Sequence, residues 1–145
     1  MTSPKPLPDL DDPLTEPFWS ATREGRLVLP ECTNCGYLQW PPVPVCPQCQ
    51  HTGRRWLEVP AAGTLWSYAV YHLALDPAFA DEIPYAVGLV ELDGVGRNMY
   101  GIMTGDGSAL KIGARVRGIF VPATDQVTFL RWQLDDASQA EGEST

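Results

Sequence analysis

The chain of 145 residues lacks most of what side-chain catalysis uses. His51 and His72 are its only histidines, and no serine or spare cysteine is placed by sequence to complete a nucleophile and base pair with either. No glycine-rich phosphate loop is present. Asp76, Asp81 and Glu82 follow His72, but next to Pro84 they read as a solvated excursion rather than paired catalytic carboxylates. No stretch approaches the ~18 apolar residues of a membrane-spanning helix, and residues 1–12 hold no apolar run of the secretory kind. These absences predict a cytoplasmic protein that is not itself an enzyme.

A concentrated basic face is also missing. Residues 1–16 contribute −3 and residues 133–145 contribute −4 to the net charge of −8, so the stretch between them carries only −1. Acidity therefore belongs to the two ends, read as solvated flexible tails, and the near-neutral middle does not suit duplex nucleic acid. With 44% hydrophobic residues the chain is not disordered in general and has enough apolar material for one core.

What is present is a quartet. Cys32, Cys35, Cys46 and Cys49 are the only cysteines, spaced C-x₂-C-x₁₀-C-x₂-C. Two tight pairs joined by a short loop are the pattern of a tetrahedral metal knuckle, with zinc the default ion and Cys₄ iron the alternative. Gly36 after the first pair and Pro47 inside the second suit the tight turns. Two disulfides are the competing reading, disfavoured by the lack of a secretory signal. With all four positions filled by sulfur, no site is left for water or substrate, so the ion's role is structural.

Along the chain, residues 1–14 are rich in proline and aspartate and read as irregular. Thr15 as a cap, Glu16 and Pro17 in a first turn, Phe18 and Trp19 as bulk and Gly25 as a stop predict a short helix over 15–24. Residues 26–30 read as a strand entering the knuckle, Gln39 and Trp40 as its return, and 54–59 as a connecting strand broken by Ala61-Ala62-Gly63. Beyond it the pattern is β throughout: strands over 64–72, 84–92, 97–103, 115–121 and 127–132, with a turn at Asp93-Gly94 and at most a short helical turn over 105–113. Five strands in this order, with a longer excursion after the third, predict a closed barrel of the oligonucleotide/oligosaccharide-binding (OB) type, with Gly88 and Gly118 where it bends. The fold class is therefore mainly β: a short N-terminal helix, a rubredoxin-like zinc ribbon and a five-stranded OB-fold. The expected organisation is a flexible tail (1–14), the helix (15–25), the ribbon (26–59), the barrel (60–132) and an acidic flexible tail (133–145).

Phe18-Trp19, Arg23-Glu24-Gly25-Arg26-Leu27, the two cysteine pairs, Gly63-Thr64-Leu65, Pro84-Tyr85, Val90-Glu91-Leu92-Asp93 and Ile112-Gly113 with Val116 together resemble one family over about residues 17–132. It is the zinc-ribbon plus OB-fold family catalogued as domain of unknown function 35, which departs from this chain at Phe129-Leu130-Arg131-Trp132, where relatives often carry a Pro-Arg-Phe-like segment. The resemblance implies an accessory subunit of a thiolase-like aldolase or acyltransferase, in steroid or lipid side-chain metabolism, that helps to enclose acyl-CoA. It supplies no catalytic residue set.

From the residues themselves, the surplus of large rings beyond what a small barrel buries suits a partner interface. Phe18 and Trp19, taken as opposite faces of the helix, are the candidate partner-binding pair. For the CoA that the resemblance implies, Arg54, Arg55, Arg97, Lys111, Arg115 and Arg117 are the candidate cations for its phosphates. Two other classes stay open. A single-strand nucleic-acid binder would stack bases on Trp66, Tyr68 and Tyr71 with Arg115 and Arg117 on phosphates, and a rubredoxin-like electron carrier would need iron.

Overall fold

A computed structural model describes residues 6–135. The only α-helix among them, α1 (Glu16–Arg23), starts one residue later than expected. Thr15 occupies its N-cap but makes no side-chain capping bond; the helix start is tied instead by the Asp12 carbonyl, which accepts from the N–H of Thr15 (3.1 Å) and Glu16 (2.8 Å). The stop is as expected. Gly25 adopts φ +74°, Gly25 N–H donates to Thr22 O and Arg26 N–H to Ala21 O, the two reciprocal bonds of a Schellman motif.

The ribbon is organised by a pairing that is far apart in sequence. β1 (Leu27–Cys32) runs antiparallel to β2 (Arg54–Val59), from Leu27 opposite Val59 to Cys32 opposite Arg54. The expected return at Gln39-Trp40 is reduced to a single bridge, Glu31 to Leu38, and a bond from Gln39 N–H to Pro30 O (2.8 Å). The knuckles thus make the connection at one end of a two-stranded stem, and the other end, at Leu27 and Val59, leads to α1 and to the barrel.

Five strands close the barrel: β3 (Ala62–Tyr71), β4 (Tyr85–Leu92), β5 (Asn98–Met103), β6 (Arg115–Pro122) and β7 (Thr128–Leu134), in the order β3-β4-β5-β7-β6 with β6 returning to β3. All neighbours are antiparallel except β5 and β7, which meet in parallel at Met103 and Trp132. Two meander hairpins followed by a crossing to the far edge are the OB topology. Two expectations need correction. Ala62 and Gly63 belong to β3 rather than breaking the chain before it. Between β5 and β6 the chain makes only single turns, closed by Leu110 N–H to Gly107 O and Ala114 N–H to Lys111 O, no more than the short turn expected there. The last strand runs to Leu134, and Asp135 N–H donates to Arg115 O, so residues 133–135 are paired rather than tail. Of the expected tails, residues 1–5 and 136–145 lie outside the described residues.

The core is continuous from stem to barrel. Phe18, Leu27, Leu29 and Val59 pack into one cluster with Leu65, Val90, Met99, Met103, Val116 and Trp132. Space gives a reason for Gly88. A Cβ there would lie 2.6 Å from Met103 Sδ and 2.9 Å from Leu65 Cδ1, so the interior has no room for a side chain. No helix among the described residues is long and apolar enough to cross a membrane.

Candidate metal centre and docking cleft

The two knuckles are built alike. In the first, Cys32 N–H donates to Tyr37 O and Gly36 N–H to Cys32 O; in the second, Cys46 N–H donates to His51 O and Gln50 N–H to Cys46 O. The residue after each second cysteine has a left-handed backbone, Gly36 at φ +78° and Gln50 at φ +66°. Sequence reasoning found the glycine and missed Gln50, whose type carries no such signal.

This repeat brings all four Sγ atoms within 4.8 Å of one another. The shortest approaches run between knuckles, Cys32 to Cys49 and Cys35 to Cys46, each at 3.6 Å. Disulfides are excluded by these separations, since an S–S bond is about 2.05 Å, and all four cysteines are free. A tetrahedron with Zn–S bonds of about 2.3 Å has edges of roughly 3.8 Å, which the quartet nearly matches. Charge leads to the same ion. The Asn34 side chain, then the His51 backbone N–H, lower Cys49 to about 6. Cys35 behaves oppositely: the Tyr37 backbone N–H pulls it down, but desolvation and the three other sulfurs push it up to about 12. Four thiolates this close need a cation among them, and a dication bound there supplies folding free energy. Cys32, Cys35, Cys46 and Cys49 fit structural zinc.

The second feature lies where α1, the ribbon and the barrel meet. Phe18 is buried, Trp19 is half-buried, and their rings touch edge to face at 5.0 Å; Phe18 also meets Trp40 at 4.9 Å and Trp19 meets Phe129 at 6.1 Å. The two are therefore not on opposite faces. Adjacent helical residues are about 100° apart, and both rings line one cleft of about 340 Å³ closed by Trp40, Pro41, Pro42 and Tyr100.

The six candidate cations are not gathered into one cluster. Arg54 donates to Pro44 O (3.0 Å) and Arg55 to Glu31 (2.6 Å), at the metal end of the stem. Arg97, on the β4–β5 turn, donates to Leu38 O (2.7 Å) and lies 4.1 Å over the Tyr37 ring, which fastens the barrel to the ribbon. Arg115 pairs with Asp93 through both nitrogens and holds that carboxyl below its ordinary range, and it also reaches Thr64 (3.2 Å). Arg117 meets the Gln133 side-chain oxygen at 2.9 Å when that amide is turned to accept. Lys111 lies exposed in the β5–β6 loop. Arg54 and Arg55 lie at the knuckle end of the stem, opposite Cys32 and Glu31, whereas Arg115 and Arg117 lie in the barrel opposite Thr64 and Ala62. The base-stacking arrangement does not form either, because Tyr68 faces inward and donates its hydroxyl to Leu110 O (3.1 Å).

A rubredoxin-like ribbon leads into an OB barrel, and comparison with known proteins matches each region in turn. The family model described as the ChsH2 rubredoxin-like zinc ribbon domain matches residues 19–53, and the one described as the ChsH2 C-terminal OB-fold domain matches residues 56–121. A DUF35 domain-containing scaffold protein of Methanothermobacter thermautotrophicus is 32% identical over 91 residues, 62% of this chain and 68% of the relative. The chain belongs to the DUF35 family. A probable enoyl-CoA hydratase alpha subunit of Thermomonospora curvata is 42% identical over 76 residues, 52% of this chain; the match spans only 23% of that longer relative. Among solved structures, a chain of the Ltp2-ChsH2(DUF35) aldolase superposes with a TM-score of 0.76 at 29% identity, covering 88% of this chain and 98% of that one.

Proposed function

We propose that the protein is a noncatalytic, zinc-stapled accessory subunit that docks on a thiolase-like aldolase or acyltransferase and helps to enclose an acyl-CoA, in the metabolism of lipid or steroid side chains. The observation that carries this reading is the end-to-end likeness to the DUF35 chain of the Ltp2-ChsH2 aldolase, which spans nearly all of that chain. The closed sulfur quartet supports a structural rather than a reacting ion. Four cysteines gathered as metal ligands, with no disulfide between them, suit a reducing compartment such as the cytoplasm.

In this reading Phe18 and Trp19 form the inner wall of the cleft that receives part of the partner. Phe18 anchors the wall by packing on the core and Trp19 offers the contact. CoA phosphates fall to cations not committed to a carboxylate: Lys111, Arg117 and Arg54 before Arg55 and Arg115, with Arg97 kept at the seam. The test is co-expression with the thiolase-like proteins of the same genome, followed by acyl-CoA turnover assays of each component alone and together. The expected result is a co-purifying pair whose activity requires both chains, and turnover by this chain alone would sink the proposal.

A further inference from the structure

A barrel wall that faces water normally alternates apolar positions inside with polar positions outside. The outward face of β6 carries the charges Arg115 and Arg117 beside Ile119 and Val121, but the wall made by β3, β4 and β5 has no charge across its middle. Its outward rows are Ser67–Leu89–Tyr100 and Ala69–Val87–Ile102, followed by the stacked pair Tyr71 and Tyr85 at 5.1 Å. Charge returns only at Glu91, at the edge of the wall. Trp66 stands at the register shift in β3 and is 56% exposed, and Tyr100 is 73% exposed.

These residues form a dish rather than a flat wall. Trp66, Tyr71 and Tyr100 stand around the smaller side chains Ser67, Ala69 and Val87, enclosing about 270 Å³. Leu73 and Leu75, which follow β3 in the chain, are 67% and 82% exposed. Tyr100 is also a wall of the cleft beside Trp19, so the two concavities adjoin.

We infer that this dish seats an apolar ridge of the thiolase-like subunit, such as one helical turn presenting two or three aliphatic side chains. The inference rests on the accessory-subunit reading and adds the surface that reading lacks. Three arguments select the occupant. The absence of charge from the middle of the face matches the core of a protein interface and opposes nucleic acid. A concave face is not complementary to itself, as a two-fold contact between copies would require. Three strands at about 4.8 Å and six residues at about 3.4 Å cover roughly 300 Å², less than half of the ~800 Å² per partner of a stable interface; the adjoining cleft supplies the continuation that a single large partner would span.

The decisive measurement uses the thiolase-like protein that co-purifies with the wild-type chain and compares its Kd for four zinc-loaded proteins. The Trp66→Ser/Tyr100→Ser double variant removes the rim, Ala69→Arg fills the floor, and Leu57→Ser alters an exposed apolar residue of the ribbon stem as a control. Zinc content and melting temperature establish that each is folded. Affinity is expected to fall at least about 100-fold in the first two variants and to stay within about threefold in the control. Unchanged affinity in both dish variants would overturn the inference while leaving the accessory reading intact. A dish variant that loses self-association but keeps its partner affinity would assign the face to a second copy and overturn it equally. Failure of the wild-type chain to bind any thiolase-like protein would remove the accessory reading, and the inference with it.

Discussion

Ribbon and barrel are joined by one core yet held by different forces. Between residues 33 and 53 only Gln39 and Cys46 are buried. That segment has almost no apolar interior, and its knuckles are fixed by short backbone bonds and four sulfurs. The barrel closes on itself, leaves no sheet edge, and buries Trp132, Leu65, Val90 and Val116 completely. The difference teaches that stability and shape are separately controlled here: the metal sets the ribbon's shape, and packing sets the barrel's.

The strongest way to break this comparison is to remove the ion. Structural zinc supplies on the order of 10–16 kcal/mol to isolated zinc-finger peptides, and nothing in the ribbon tip replaces it. Cys46→Ser, or a chelator, is expected to open residues 32–53 to rapid amide exchange and abolish partner assembly, while β4 and β5 remain protected. Hydrogen exchange read residue by residue checks this. Protection lost throughout the barrel at the same chelator concentration would mean that the two regions fold as one unit.

The reciprocal test empties the barrel. Trp132 is fully buried where β5, β6 and β7 meet, although its Nε1 finds no partner among the described residues. Trp132→Ala is expected to cost about 3–5 kcal/mol, measured by denaturant unfolding of the zinc-loaded chain. Zinc affinity should change far less than stability. A matching loss of both would show that the ribbon depends on the barrel for its geometry.

The seam between the regions hangs on Arg97, which joins the barrel turn to Leu38 O and the Tyr37 ring. Arg97→Ala removes a charged donor and a cation–π contact, together about 1–3 kcal/mol. Arg97→Lys keeps the charge but not the planar stack, so partial rescue is expected. Equal stability of all three proteins would deny the seam any role.

Much of this was legible in the residues, and what was not has a common cause. The cysteine spacing announced the knuckles, and alternation with Gly and Pro breaks located all five barrel strands to within about two residues. The pairing of β1 with β2 was hidden because Leu27 and Val59 are joined through an intervening knuckle rather than a local turn. Tyr68 could not be assigned an inward direction, because the register shift between Leu65 and Ser67 inverts the alternation along β3. The arginines looked like free cations because their acceptors, Leu38 O for Arg97 and Asp93 for Arg115, come from other elements. Phe18 and Trp19 were legible as a pair but not as neighbours in one cleft, since Trp40 and Phe129 complete it from distant parts of the chain.

The smallest expected effect examines the likeness of the two knuckles. Gly36 and Gln50 occupy the same left-handed position, and a Cβ at Gly36 would meet nothing within 4 Å. Gly36→Ala therefore changes only backbone preference and should cost about 1 kcal/mol. Gln50→Gly relieves the same penalty but gives the unfolded chain more freedom, so the net gain is about 0.5 kcal/mol, or ~1–2 °C in melting temperature. Opposite signs in thermal melts of the zinc-loaded proteins are the expected result. If Gln50→Gly lowers the melting temperature instead, the Gln50 side chain contributes a contact that offsets its strained backbone, and the knuckles are alike in hydrogen bonding but not in energy.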